Sequence, residues 1–171
     1  MHRSGFYILL FVVSALLQIF FFNNLSLWSC FAPIVYMAFV LLLPLNAPSV
    51  VVLLSGLAMG VTMDLTMGTA GLNTIATLAA SYLRRPVLNL TLGAEVVRDG
   101  GLPTVVRMGQ RQFFQYLIIM TVLHGAVFFG FEAFTTSYFW HQFLRFVVST
   151  TFSILFVWLI MALFTPKYSV R

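Results

Sequence analysis

Charged side chains are scarce in this chain of 171 residues. Asp, Glu, Lys and Arg together make up 8% of the sequence, whereas soluble domains carry about 25%. Hydrophobic residues account for 61%, and apolar stretches of membrane-spanning length recur along the chain. This composition excludes an ordinary soluble domain and predicts an integral membrane protein.

Cysteine, acidic residues and catalytic motifs are also rare or missing. The single cysteine, Cys30, cannot form a disulfide within the chain. Four acidic and nine basic residues give a formal net charge of +5, but in so apolar a chain basic residues are more often topological anchors than a nucleic-acid surface. The sequence has no P-loop, no HExxH, no Cys/His cluster and no nucleophile–base pair. We therefore predict a protein that is not an enzyme, uses no metal or cofactor and binds no nucleic acid.

Six apolar segments predict an all-α fold with six transmembrane helices, in one polytopic membrane domain that covers residues 1–171. The predicted spans are residues 6–22, 28–45, 49–67, 72–86, 113–134 and 143–164. Pro86 is expected to end or bend the fourth helix, because proline lacks the amide hydrogen that a helix needs. Residues 87–112 then form the one long loop, which is predicted to be cytoplasmic.

The distribution of basic residues predicts the orientation. Eight of the nine lie near the N-terminus, between the fourth and fifth spans, or near the C-terminus: Arg3, Arg84, Arg85, Arg98, Arg107, Arg111, Lys167 and Arg171. Only Arg145 falls on the other side. The positive-inside rule then places both termini in the cytoplasm. Arg84, Arg85, Arg107 and Arg111 are the predicted cytoplasmic anchors, with Arg84 and Arg85 reaching towards the headgroups.

Asp64 lies in an apolar segment, where a carboxylate that faced lipid would be costly, so it is expected to face protein or water. Glu132 and Arg145 are predicted at a similar depth near the outer face. The three side chains predict either a binding or proton-coupling site, or an ion pair that fixes helix packing. The ion pair is favoured, because buried charges in helix bundles pair by necessity. With no catalytic partner in the sequence, Asp64 is expected to be a packing and capping residue that shapes the outer end of the bundle.

His124 falls near the middle of the fifth span and needs a hydrogen-bond partner at that depth. One interpretation is a proton relay or a ligand contact. The other is a hydrogen bond to a backbone carbonyl or to a polar side chain of another span, such as Gln18. The second is favoured because Glu132 is eight residues away, about 12 Å along a helix.

Glycines surround Asp64. Gly56 and Gly60 form a small-xxx-small pair that permits close approach of two helices, here predicted within the subunit. Gly68 and Gly71 indicate a tight turn after the third span.

The same segment resembles the bacterial rod shape-determining protein MreD family. That family has a glycine-rich apolar helix ending in an aspartate, a glycine turn, and Gly-Leu-Asn at the start of the next helix. The matching residues are Gly56, Gly60, Asp64, Gly68, Gly71, Leu72 and Asn73. Gln18 followed by Asn23-Asn24-Leu25, Pro33 and Arg84-Arg85-Pro86 also agree, and His124 with Glu132 is similar to the Bacteroidetes branch.

The resemblance implies a fold similar to the six-helix substrate-binding subunit of energy-coupling factor transporters. It implies a non-enzymatic scaffold or regulatory subunit of the cell-wall elongation complex, located in the bacterial cytoplasmic membrane. The implied partners are an MreC-like bitopic protein, a RodA-type glycosyltransferase, a class B penicillin-binding protein, the MreB filament and membrane lipids. Two alternatives stay open: a substrate-binding subunit of a small-molecule transporter, and a lipid-handling protein whose arginines meet phosphate.

Overall fold

A computed structural model of the chain describes residues 2–24, 31–134 and 139–164, and every regular element among these residues is helical. The predicted all-α class is confirmed for these residues. The elements are α1 (His2–Leu16, continued by a π-helical turn Leu17–Phe22), α2 (Met37–Leu42), α3 (Ser49–Met67), α4 (Leu72–Leu92), α5 (Ala94–Asp99), α6 (Val105–Met108), α7 (Gln110–Ala133) and α8 (Phe139–Phe164).

Four helices in the described part of the chain are long and apolar enough to cross a membrane. They are Gly5–Phe22, Ser49–Met67, Gln110–Ala133 and Trp140–Leu163. These coincide with the first, third, fifth and sixth predicted spans, as expected of a multi-pass membrane protein. The predicted spans 28–45 and 72–86 are not in this set.

Of the predicted span 28–45 the structure describes residues 31–45, which do not form the continuous helix that the sequence predicts; residues 28–30 lie outside the described residues. Residues 31–36 are not helical, and α2 contains six residues, which is about 9 Å of helix. From Val35 to Leu43 every residue is at most 4% exposed, because α2 contacts α1, α3, α4, α7 and α8. The segment is apolar because protein surrounds it, and hydropathy alone cannot distinguish such surroundings from lipid.

The fourth predicted span ends at Pro86, whereas α4 continues through this proline to Leu92. Proline removes one helical hydrogen bond, but Pro86 is exposed on the surface of α4, and the helix continues through it. The predicted loop 87–112 is accordingly mostly helical: it contains the end of α4, all of α5 and α6, and the start of α7.

The helices α3 and α4 approach each other closely at two glycines. A Cβ atom added at Gly60 would lie 2.6 Å from the Thr74 Cα atom, and one added at Gly56 would overlap the Ser81 Oγ atom. Gly68 (φ +67°) and Gly71 (φ +88°) adopt left-handed conformations in the short turn between the helices. This turn lies at the end of the bundle that the sequence predicts to be the outer one, and Pro44 with Arg84 lies towards the predicted inner end.

We expect Gly60→Ala to lower the stability of the protein by about 2 kcal/mol, because the added methyl group meets a backbone that cannot rotate away. Gly56→Ala is expected to cost less, since the Ser81 side chain can change rotamer. Gly130→Ala is the matched control: apart from its chain neighbours and the backbone of its own helix, no atom lies within 4 Å of its added Cβ, and alanine favours a helix. Thermal unfolding in detergent measures all three. A melting temperature for Gly60→Ala equal to that of Gly130→Ala would contradict the close contact.

Candidate functional site

Asp64 lies in the last turn of α3 and faces the beginning of α4. Its carboxylate accepts hydrogen bonds from the Thr69 hydroxyl (2.6 Å), the Asn73 backbone N–H (3.0 Å), the Asn73 Nδ2 amide (3.1 Å), the Thr74 backbone N–H (2.9 Å) and the Thr74 hydroxyl. The three N–H partners can only donate, which suits an acceptor-only carboxylate.

These hydrogen bonds cap α4 from a neighbouring helix. The residue at the N-cap of α4 is Gly71, which has no side chain to satisfy the first free N–H groups of the helix. Asp64 accepts from the second and third of these groups, as an N-cap side chain would. It also places negative charge at the positive end of the helix dipole. A single carboxylate therefore joins the end of α3 to the start of α4.

A chain of polar side chains runs from this carboxylate into the bundle. Because a carboxylate has no hydrogen to give, the Asn73 atom that faces Asp64 is the amide nitrogen. The Asn73 Oδ1 atom then accepts the Tyr36 hydroxyl hydrogen at 2.8 Å. The Tyr36 oxygen lies 3.1 Å from the His124 Nε2 atom. Since the Tyr36 hydrogen is already used, Nε2 must be the donor in this contact.

Thr77 gives the same assignment for His124. Its hydroxyl donates to the Asn73 backbone oxygen at 2.6 Å and lies 3.4 Å from the His124 Nε2 atom. The Thr77 oxygen can therefore only accept from the imidazole. Two independent neighbours thus place the ring hydrogen on Nε2.

We call Asp64, Asn73, Tyr36, Thr77 and His124 the polar chain. Four of its members are at most 1% exposed. The fifth, Asp64, ends the polar chain beside the glycine turn and is partly exposed. Its members come from α3, α4, α7 and the residue before α2, so it ties four parts of the bundle together. Buried polar groups with mutual hydrogen bonds fix one arrangement of the elements that carry them.

Gln18 has a different partner from the one that the sequence suggested. It does not bond His124. Its Nε2 atom donates to the Pro33 backbone oxygen (3.1 Å), and its Oε1 atom accepts from the Val35 backbone N–H (2.7 Å). The buried side chain thus replaces the hydrogen bonds that this non-helical stretch would make in a helix.

Two serines of α8 complete this arrangement. Ser149 and Ser153 accept from the backbone N–H groups of Ala32 (3.0 Å) and Ile34 (2.7 Å). Non-helical backbone at membrane depth is tolerated only where protein or water satisfies it. Side chains of α1 and α8 do so here.

Arg84 is a buried residue rather than the cytoplasmic anchor that the sequence predicts. It is 2% exposed. Its guanidinium donates to the Tyr116 hydroxyl (3.0 Å), to the Pro44 backbone oxygen (3.3 Å) and to the Leu43 backbone oxygen. A positive charge at the C-terminal end of α2 complements the helix dipole. The other predicted anchors, Arg85, Arg107 and Arg111, are exposed.

Glu132 and Arg145 form a salt bridge of 2.7 Å between α7 and α8, with side chains 18% and 24% exposed respectively. The Arg145 guanidinium also lies over the Phe129 ring, 5.6 Å from its centroid. Asp64 takes no part in this pair, because its hydrogen bonds go to the turn and to α4. The predicted group of three is therefore divided between two places in the structure.

Sequence reasoning missed Tyr36, Thr77 and Tyr116 as members of these networks. A tyrosine inside a long apolar run is the signal that was available, because a buried hydroxyl needs a partner.

No protein-family model, curated protein or solved structure matches the chain.

Proposed function

We propose that this protein is a non-enzymatic membrane scaffold of the bacterial cell-wall elongation complex. It acts in the cytoplasmic membrane by binding an MreC-like bitopic protein, and through that partner it is connected to a RodA-type glycosyltransferase, a class B penicillin-binding protein and the MreB filament. The observation that carries the proposal is the junction of α3 and α4, in which the family-like residues lie together.

Several of the residues that carry the resemblance to the MreD family have a structural role at that junction. Gly56 and Gly60 allow the close approach of α3 and α4. Gly68 and Gly71 form the turn, and Asp64 caps α4. A sequence pattern whose members build one rigid junction, rather than line a substrate cavity, supports a role in shape and assembly.

The packing at the centre of the bundle also favours a scaffold over a transport subunit. In this bundle the buried residues 35–43 pass between the surrounding helices. The members of the polar chain form hydrogen bonds with one another. A ligand site at the centre of the bundle would require these buried residues to move.

Affinity purification of the full-length protein from its native membrane tests this proposal. We expect a bitopic protein with a coiled-coil region to co-purify, and we expect depletion of the scaffold to convert rod-shaped cells to spheres. Gly130→Ala serves as a matched variant that keeps the partner. Cells that stay rod-shaped after depletion would contradict the proposal. A small molecule bound in native mass spectrometry, together with an uptake defect, would favour the transport alternative.

A further inference from the structure

A polar cleft lies at the inner end of the bundle, outside the polar chain. It has a volume of about 490 Å³ and is formed by the end of α4, by α5 and by the connection between α2 and α3. Its lining residues are Leu45, Asn46, Arg85, Asn89, Ala94, Glu95, Val97 and Arg98. Two guanidinium groups and one carboxylate make the cleft cationic.

The charges in the cleft are available to a ligand. Arg85, Arg98 and Glu95 are all exposed. Among the described residues the salt bridge joins Glu132 and Arg145, so Glu95 forms no salt bridge with either arginine of the cleft. Arginine is well suited to phosphate, because its planar fork can donate two parallel hydrogen bonds.

The walls of the cleft are held in place from behind. The Leu45 N–H donates to the Gly101 backbone oxygen at 2.9 Å. The Asn46 side chain lies against Gly100, where an added Cβ atom would come within 2.6 Å of the Asn46 Cγ atom. Arg84 fixes the Pro44 carbonyl on the buried side. A site with such preformed walls binds a ligand at a lower cost in entropy.

An apolar stripe of α4 runs beside the cleft. Tyr82 is 70% exposed, Leu90 is 83% exposed, and Pro86 between them is also exposed. Residues four apart share one face of a helix, so these three form a continuous row. Arg85 and Asn89, which line the cleft, form the neighbouring row. The surface is therefore cationic in the cleft and apolar immediately next to it.

We infer that this cleft binds the phosphate headgroup of an anionic membrane lipid, whose acyl chains lie along the row of Tyr82, Pro86 and Leu90. The position agrees with the predicted orientation, in which this end of the bundle faces the cytoplasmic leaflet. The inference does not depend on the proposed scaffold function.

Native mass spectrometry of the full-length protein with phosphatidylglycerol or phosphatidylcholine of identical acyl chains tests the site. We expect preferential binding of phosphatidylglycerol. Arg85→Gln and Arg98→Gln should each weaken it by about fivefold, since one basic residue near an anionic lipid contributes about 1 kcal/mol. Glu95→Gln should strengthen it, because the substitution removes a repulsive charge. Arg111→Gln is the matched control, since this exposed arginine does not line the cleft.

Three results would overturn the inference. An equal loss in Arg111→Gln would show that binding follows general surface charge. Equal binding of phosphatidylcholine would show that the headgroup charge is not recognised. Displacement of phosphatidylglycerol by an equal concentration of inorganic phosphate would assign the cleft to a soluble anion. The opposite effects expected from Arg85→Gln and Glu95→Gln also separate a loss of binding from a loss of folding.

Discussion

Asp64→Leu is expected to lower the free energy of unfolding by about 3 kcal/mol, because it leaves several donors of the turn and of α4 without an acceptor. For a chain of this size that corresponds to a fall in melting temperature of about 6–12 °C. Asp64→Asn should cost about half as much, since it keeps one acceptor oxygen and the Thr69 and Thr74 hydroxyls can reorient.

Thermal unfolding in detergent gives the melting temperatures of the unmodified protein, Asp64→Leu and Asp64→Asn. Thr66→Val is the control. Thr66 is exposed on the same turn of α3, and its hydroxyl bonds only within its own helix. Its replacement should change the melting temperature little. Equal losses in Asp64→Asn and Asp64→Leu would instead show that the negative charge itself is required. A loss in Asp64→Leu no larger than that in Thr66→Val would contradict the capping role.

Arg84→Met is expected to cost about 3 kcal/mol, because the carbonyls at the end of α2 lose their donor in a buried place. Arg84→Lys should be intermediate, since one ammonium group cannot reproduce the geometry of the guanidinium fork. The neighbouring Arg85→Met provides the matched control. Arg85 is exposed, and such substitutions usually change stability by less than about 0.5 kcal/mol.

The same unfolding measurement distinguishes the two arginines. The Tyr116 hydroxyl donates to the Leu41 backbone oxygen at 3.2 Å and accepts from Arg84, so Tyr116→Phe should reproduce part of the Arg84→Met loss. If Arg84→Met and Arg85→Met gave the same melting temperature, the buried position of Arg84 would be wrong.

Some helices could be predicted well from the sequence because residues that favour helix ends stand at their boundaries. The third predicted span, 49–67, has the bounds of α3. Pro48 precedes this helix and Gly68 follows it, and both residues are strong boundary signals. The segment 28–45 contains Pro33 and Pro44, but its apolar run has the same composition whether lipid or protein surrounds it. Its true conformation depends on Gln18, Ser149 and Ser153, which are distant in sequence.

The two adjacent arginines show a second limit. Arg84 and Arg85 have the same local context, but successive residues of a helix point about 100° apart. One therefore meets the end of α2 and the other faces the cleft. Which face of α4 is buried depends on the positions of α2 and α7, and sequence periodicity does not provide those positions.

The candidate site, too, could be predicted from the sequence only in part. The turn glycines and Asp64 lie within a few residues of each other, so a packing and capping role for Asp64 could be inferred from the sequence. The link from Tyr36 to His124 joins residues 88 positions apart. It exists because the segment before α2 passes beside α7, which the predicted six-span topology did not include.

Hydrogen exchange at the backbone N–H groups of Asn73 and Thr74 tests the junction of α3 and α4 most directly, because both groups donate to the Asp64 carboxylate. We expect slow exchange in the unmodified protein and in Glu132→Gln, which removes a charge elsewhere at the outer end. In Asp64→Leu we expect exchange at these two groups to accelerate by at least about tenfold, the equivalent of about 1.4 kcal/mol. Unchanged protection in Asp64→Leu would contradict the claim that this carboxylate joins α3 to α4.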